Sequence, residues 1–166
     1  MRIYLLTILQ VLLLACSADA GRIVEGFVKG VYDGDTILLT TREDSRLKVR
    51  LYGIDAPETK KPGKPGQPYG DVSKRMLMYK LMGRRVTAEI MDVDQYKRVV
   101  AVIRHNGSDI NREMIIEGMA WAYRQYLHEP YESAYIRYEA GARSRRAGLW
   151  RESNPQPPWE FRRKKR

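Results

Sequence analysis

The sequence predicts an α+β fold, mainly a five-stranded β-barrel with three helices packed against it. Three observations support this fold class: short segments in which apolar and polar residues alternate, turn signals that contain glycine or asparagine between them, and stretches with apolar residues at helical spacing. A chain of 166 residues can bury one hydrophobic core but hardly two. We therefore expect a single domain.

The first two predicted strands form a hairpin. They cover residues 23–31 and 36–41, and the Asp33-Gly34 turn signal joins them. A third strand is predicted over residues 46–54, where apolar residues alternate with polar ones. Such a strand is covered on one face only, so Arg50, on the polar face, is expected to point away from the core.

A loop and the first helix follow. Residues 59–70 are rich in lysine, proline and glycine, which predicts an exposed, mobile loop that is either a plain connector or a contact for substrate. Asp71 or Ser73 can cap a helix that runs to about Met82. The apolar residues expected on its core side are Val72, Met76 and Tyr79.

Two further strands and two helices complete the domain. The strands are predicted over residues 84–91 and 98–104. Ser108 or Asp109 can cap a helix that ends at Gly118. The last helix ends near Gly148, and its apolar face consists of Tyr131, Ala134, Tyr135, Tyr138 and Ala142. Five strands with a helix between the third and the fourth match the OB-fold, a partly open Greek-key barrel.

The two ends of the chain differ in composition from the domain at 21–150. Residues 1–20 combine one basic group, an apolar run and a small-x-small cleavage site, as in a signal peptide. The run is shorter than the roughly 20 residues that span a bilayer, so we expect an exported protein, secreted or periplasmic. Alternatively, Cys16 lies in a segment like the cleavage box of bacterial lipoproteins, which would give an outer-membrane lipoprotein. Residues 151–166 are proline-rich and then basic, a tail expected to lie along the domain and fray.

The charge balance indicates an anionic partner. The net charge is +10, and the two charged residues of the leader cancel. A polyanion is the natural partner of such a chain, although charge does not decide between nucleic acid and an anionic cell or membrane surface. Because the only cysteine lies in the leader, a zinc site built on thiolates is excluded.

Three short stretches carry a set of charged residues suited to phosphodiester chemistry. They are Asp33-Gly34-Asp35-Thr36, residues 50–59, and Asp94-Gln95-Tyr96-Lys97-Arg98. Two aspartates can hold a hard metal ion, a glutamate can take a proton from water, and two arginines can bind a phosphate through paired N–H donors.

With these three motifs in this order, the chain resembles the staphylococcal nuclease (thermonuclease) family from about Arg22 to Trp150, and more weakly in the tail at Pro157–Glu160. The resemblance implies that Asp35 and Asp55 ligate calcium and that the backbone carbonyl of Ala56 is a further ligand.

The same resemblance implies the remaining roles. Glu58 matches the general base, and Arg50 and Arg98 match the two arginines that bind the phosphate. Tyr96 matches a tyrosine that contacts a terminal phosphate, and Tyr123 and Tyr126 lie near the tyrosines on which substrate bases stack. Lys97 stands where many members have glycine, and a left-handed backbone would strain it by roughly 1 kcal/mol.

We therefore expect a calcium-dependent, sugar-non-specific nuclease that acts as a monomer without an obligate protein partner. Its expected substrates are single-stranded DNA and RNA, with duplex DNA cut less readily, and its products carry 3′-phosphate ends. Two alternatives remain at this stage: a non-catalytic nucleic-acid-binding OB-fold module, and a basic envelope lipoprotein. Neither alternative needs Glu58.

Overall fold

The computed structural model describes residues 21–164, so the predicted leader and Cys16 lie outside the described residues. The strands are β1 (Ile23–Asp33), β2 (Thr36–Thr41), β3 (Arg46–Leu51), β4 (Ile54–Asp55), β5 (Arg85–Val93), β6 (Val99–His105), β7 (Ser108–Asp109) and β8 (Trp121–Ala122). The α-helices are α1 (Gly70–Leu81), α2 (Ile110–Ile116), α3 (Tyr131–Ser144) and α4 (Pro158–Arg163).

Five of the strands close into a barrel. Strands β3, β2, β1, β5 and β6 are hydrogen-bonded neighbours in that order, all antiparallel. A short parallel pairing between β3 and β6, from Val49 opposite Val99 to Leu51 opposite Ala101, joins the two ends of the sheet. The predicted α+β class and five-stranded barrel are confirmed.

Alternation along β3 separates the core from the polar surface. Val49 and Leu51 are fully buried in the barrel, whereas Arg46 and Lys48 are exposed. Arg50 shares the face of these two basic residues, as its position in the alternation predicts. The barrel wall therefore presents this arginine on its outer side.

Helix α1 packs on a different face from the one expected. Leu77 and Leu81 are fully buried, with Ser73 one turn earlier, while the Tyr79 side chain is 84% exposed. The expected side-chain cap is also wrong, because the helix begins after Tyr69 in a left-handed conformation without such a cap. The Ser73 hydroxyl instead donates to the Met119 carbonyl at 2.7 Å, which fixes the rotation of the helix.

The later helices follow the sequence more closely. Asp109 caps α2 by accepting the Arg112 N–H at 2.9 Å, as expected for this position. The buried Tyr135 hydroxyl of α3 also donates to the Asp109 carboxylate, at 3.0 Å. One carboxylate thus both begins α2 and joins it to α3.

The C-terminal segment lies along the domain, as expected, but it contains a helix, α4, that was not predicted. Pro158 of α4 is buried, and the ring of Trp159 lies edge-on to Trp121 with centroids 5.6 Å apart. Trp121 in turn packs against Trp150 at 4.4 Å. Within residues 21–164, none of the helices is long and apolar enough to span a bilayer.

Candidate active site

The hairpin between β1 and β2 places Asp35 in a buried position. A side chain at Gly34 would collide with Ser73 and Ala56, so only glycine lets the hairpin pack this closely. The buried Asp35 carboxylate accepts the Thr36 hydroxyl and the Ala56 N–H, both at 2.9 Å. These bonds orient the carboxylate.

Strand β4 brings a second carboxylate to the same place. Asp55 pairs with Trp121 of β8, and its side chain is fully buried. This pairing also sets the segment that begins at Trp121 beside the carboxylate, so the aromatic residues that follow lie close to Asp55.

Arg50 bridges the two aspartates. Its Nη1 donates to Oδ1 of Asp35 and its Nη2 to Oδ1 of Asp55, each at 2.9 Å. The arginine side chain is itself mostly buried, at 16% exposure. Two buried carboxylates therefore lie within the span of one guanidinium group.

The carboxylates influence one another's ionisation. Burial and the neighbouring Asp35 raise the pKa of Asp33 to about 7. Burial would also raise the pKa of Asp35, but Arg50 and the Ala56 N–H hold it below its usual value. Burial raises the pKa of Asp55 more than the surrounding guanidinium groups lower it. A nearby positive charge therefore stabilises the ionised form of these buried, neighbouring carboxylates.

Glu58 lies beside this pair on a backbone held by Gln67. The Glu58 N–H donates to the Gln67 side-chain oxygen at 3.0 Å, and the Gln67 N–H donates to the Glu58 carbonyl at 2.8 Å. The Glu58 side chain is 28% exposed, so solvent reaches it. A rigid backbone and a solvent-accessible carboxylate suit a residue that exchanges a proton with water.

Arg162 of α4 reaches into the same cluster. Its Nη1 and Nη2 donate to the two carboxylate oxygens of Asp55, at 3.1 and 2.8 Å, and Nη1 also donates to Glu58 Oε1 at 2.8 Å. The structure thus brings Asp35, Arg50, Asp55 and Glu58 together, with Arg162 as an additional member.

Arg98 and Tyr96 lie on the turn between β5 and β6. The Asp94 carboxylate accepts the backbone N–H groups of Tyr96 and Arg98 and a side-chain N–H of Arg98 at 2.7 Å. Lys97 has a φ of 59°, which is the left-handed conformation expected at a position where many members of the family have glycine.

The turn adjoins the strand that carries Arg50. Arg98 directly precedes Val99, which lies opposite Val49 in the parallel pairing of β6 with β3. In the described residues the Arg98 guanidinium contacts Asp94 and the Tyr96 ring, and not the aspartate pair.

Tyr123 and Tyr126 form an aromatic platform beyond Asp55. Their rings meet edge-on with centroids 4.7 Å apart, and Tyr126 is 54% exposed. The Tyr123 N–H donates to the Gly53 carbonyl at 2.8 Å, which anchors the platform to the loop before β4. An adjoining cavity of about 560 Å³ is lined by Trp121, Tyr123, Arg124, Glu139, Arg143 and Trp159.

Residues 48–152 match the family described as staphylococcal nuclease homologue, which is well over half of the chain. The chain belongs to the staphylococcal nuclease family. The resemblance seen in the three motifs is therefore confirmed, and so is the predicted enzyme class, an endonuclease that hydrolyses phosphodiester bonds. The match contains Arg50, Asp55, Glu58 and Arg98, and Asp35 precedes it.

Similar proteins occur in several bacteria. An uncharacterized endonuclease of Haemophilus influenzae is 34% identical over 97% of this chain and 84% of its own length. A micrococcal nuclease of Shigella flexneri is 36% identical over 90% of this chain and 87% of its own length. An uncharacterized endonuclease of Escherichia coli is 36% identical over 86% of this chain and 87% of its own length.

Enzymes of the staphylococcal nuclease family are generally metal-dependent, and the donor set here fits a hard cation. Within residues 21–164 no three His, Cys, Asp or Glu side chains are grouped as ligands of one ion. However, three carboxylates (Asp35, Asp55 and Glu58) face only two guanidinium groups (Arg50 and Arg162), which leaves a formal surplus of negative charge. Carboxylate oxygens with such a surplus suit calcium or another hard divalent ion.

The motifs did not indicate three residues that contact the candidate site. Gln67 fixes the backbone of Glu58, while Trp159 and Arg162 come from the tail that was expected to lie along the domain and then fray. The aromatic and basic composition of the tail was the only indication in the sequence that it could contact the site. However, composition does not specify which surface a tail contacts. The roles assigned to Asp35, Arg50, Asp55, Glu58 and Arg98 stay predictions.

Proposed function

We propose that this protein is a calcium-dependent, sugar-non-specific nuclease that cuts single-stranded DNA and RNA, and duplex DNA less readily, leaving 3′-phosphate ends. The observation that supports this most directly is the pair of buried aspartates bridged by Arg50, with Glu58 beside them. As in the expectation from sequence, it acts as an exported monomer.

Asp35 and Asp55, with the Ala56 carbonyl, would hold the calcium ion. A calcium ion bound there would supply positive charge next to the phosphate and polarise its oxygens. Asp35 is already oriented by the Ala56 N–H, and burial of both carboxylates keeps water from competing for their oxygens.

Arg50 provides the donors for the phosphate. Its guanidinium is planar and mostly buried, and each terminal nitrogen carries a second N–H besides the one that donates to an aspartate. These remaining donors are available for phosphate oxygens. Donors of this kind strengthen as negative charge develops on the phosphate, which accelerates the reaction itself. Arg98, in the turn before β6, provides a second guanidinium.

Glu58 accepts the proton of the attacking water. Its carboxylate is accessible to solvent, and Gln67 holds its backbone at both the N–H and the carbonyl.

Tyr123 and Tyr126 offer flat surfaces for bases, and stacking on such surfaces depends little on base identity. We therefore expect the nuclease to have only a weak preference for the base sequence of its substrate.

The purified chain from Gly21 onward, without the predicted leader, should be incubated with single-stranded DNA in calcium and again with excess chelator. We expect fragments with 3′-phosphate ends in calcium and no cleavage in chelator, with activity restored when calcium is added back. Full cleavage in chelator would contradict the metal-dependent model, and 3′-hydroxyl ends would contradict the proposed product.

A further inference from the structure

The C-terminal segment from Gln156 to Arg163 lies across the candidate active site. Helix α4 begins at the buried Pro158, and the Gln67 side chain donates to the Gln156 carbonyl at 3.0 Å. Gln67 is also the residue that holds the Glu58 backbone. The segment is therefore attached to the part of the site that carries the expected general base.

Arg162 occupies the place where a cation would bind. Its two terminal nitrogens contact both carboxylate oxygens of Asp55, and one of them also contacts Glu58. A metal ion held by Asp55 needs the same oxygens, so the guanidinium and the ion compete for them. The Arg162 side chain is 40% exposed, which lets it leave without disturbing the core.

Trp159 occupies the place where a base would stack. Its ring lies parallel to that of Tyr123, with an interplanar angle of 5° and centroids 5.3 Å apart. This is the arrangement in which an aromatic side chain holds a nucleobase. The tail therefore covers the cation position with one side chain and the base platform with another, three residues apart.

We propose that residues 156–163 are an autoinhibitory strap that keeps the site closed until a divalent cation and a nucleic-acid strand displace it together. This inference rests on the proposed function, since it assigns the cation position and the base platform to calcium and substrate. Only the fraction of molecules with an undocked strap binds calcium at full affinity, so docking weakens the apparent affinity.

Calcium affinity without nucleic acid, measured by titration calorimetry, tests the strap directly. We expect Arg162→Gln to tighten calcium binding by about threefold or more, because it removes the competing guanidinium. Trp159→Ala should also tighten binding while leaving every charge in place, so its effect does not arise from a lost positive charge. Arg163→Gln, on the same helix and exposed, is the control and should bind calcium as the unaltered chain does.

The position of the strap itself is followed by fluorine NMR of the chain labelled with 5-fluorotryptophan. The chain contains three tryptophans, and Trp159→Phe identifies the resonance of interest. Calcium together with a short oligodeoxynucleotide whose linkages resist cleavage should move the Trp159 resonance toward that of exposed tryptophan. The resonance of Trp150, which is buried, should stay in place.

The outcomes separate the strap from the proposed function. Unchanged calcium affinity in Arg162→Gln and Trp159→Ala, or a Trp159 resonance that stays in place in the saturated complex, would overturn the strap while leaving a calcium-dependent nuclease. A tenfold or greater loss of turnover in Arg162→Gln at saturating calcium would also overturn it, because Arg162 would then belong to the catalytic set. A chain that binds no calcium would overturn both.

Discussion

Nη2 of Arg50 donates to Oδ1 of Asp55 across 2.9 Å, inside a site where the carboxylate is fully buried. The contact joins a residue on the outer face of a barrel strand to one on the short strand that follows it. Because the other terminal nitrogen contacts Asp35, a single side chain orders both carboxylates and is itself fixed by them.

Replacing Arg50 by lysine should reduce turnover by at least about a hundredfold. An ammonium group keeps the charge but lacks the planar fork that binds two phosphate oxygens and both aspartates at once. Initial rates on single-stranded DNA at saturating calcium measure the effect, and circular dichroism checks the fold. Arg46→Lys, an exposed change on the same strand, should leave the rate unaltered. A rate in Arg50→Lys near that of the unaltered chain would show that the fork is not used.

Replacing Glu58 by glutamine should also lower turnover by about a hundredfold or more, because the amide cannot accept the proton of the attacking water. Calcium affinity should change much less, since the carboxylate is not assigned as a ligand. Glu43→Gln is the matched control, as Glu43 is an exposed carboxylate remote in the chain from this site. Equal rates for the Glu58 and Glu43 variants would remove Glu58 from the mechanism.

Asn111 should be a major contributor to stability. Its fully buried amide accepts the Ile103 N–H at 3.0 Å and donates to the carbonyls of Tyr52 and Ala101 at 2.9 and 3.1 Å. Asn111→Ala removes all three of these hydrogen bonds, although the Ala101 carbonyl still accepts the Tyr52 N–H at 2.8 Å. We expect the change to lower the free energy of unfolding by about 3 kcal/mol. Urea denaturation measures the change.

The control for this variant is Asn154→Ala, an exposed position in the tail, which should change the free energy of unfolding by less than about 0.5 kcal/mol. A loss below about 1 kcal/mol in Asn111→Ala would mean that water enters and replaces the amide.

Lys97 should be a strained position that glycine relieves. Its φ of 59° places a side chain in the left-handed region, directly before Arg98. Lys97→Gly should raise the free energy of unfolding by up to about 0.5 kcal/mol. This is the roughly 1 kcal/mol of relieved strain less the roughly 0.5–1 kcal/mol that the added freedom of glycine costs in the unfolded chain. Lys97→Ala keeps the Cβ atom and should bring no such gain. If alanine stabilises the chain as much as glycine does, the lysine side chain rather than the backbone is the source of the strain.

The elements that local pattern specifies were predicted well. The alternation over residues 46–54 and the Asp33-Gly34 turn signal are properties of neighbouring residues, and both reappear, as β3 and the β1–β2 hairpin. However, β3 ends at Leu51, earlier than predicted, and Ile54 belongs to the separate short strand β4. Helix α1 shows the limit of such patterns. Two sets of residues in this segment recur at helical spacing, and each could form the buried face of the helix. Only the contacts with the barrel and with Met119 decide that the face with Leu77 and Leu81 is buried.

The sequence by itself determined the five barrel strands, three of the four α-helices within residues 21–164, the charged residue types and the family to which the chain belongs, because these depend on residue chemistry and on short spacings. Only the tertiary structure decided that β3 and β6 pair to close the barrel, and that Arg50 bridges two aspartates from different strands. It also decided that Arg162 contacts Asp55, 107 residues earlier in the chain. Such contacts depend on how every intervening element packs, and no local pattern of residues encodes them.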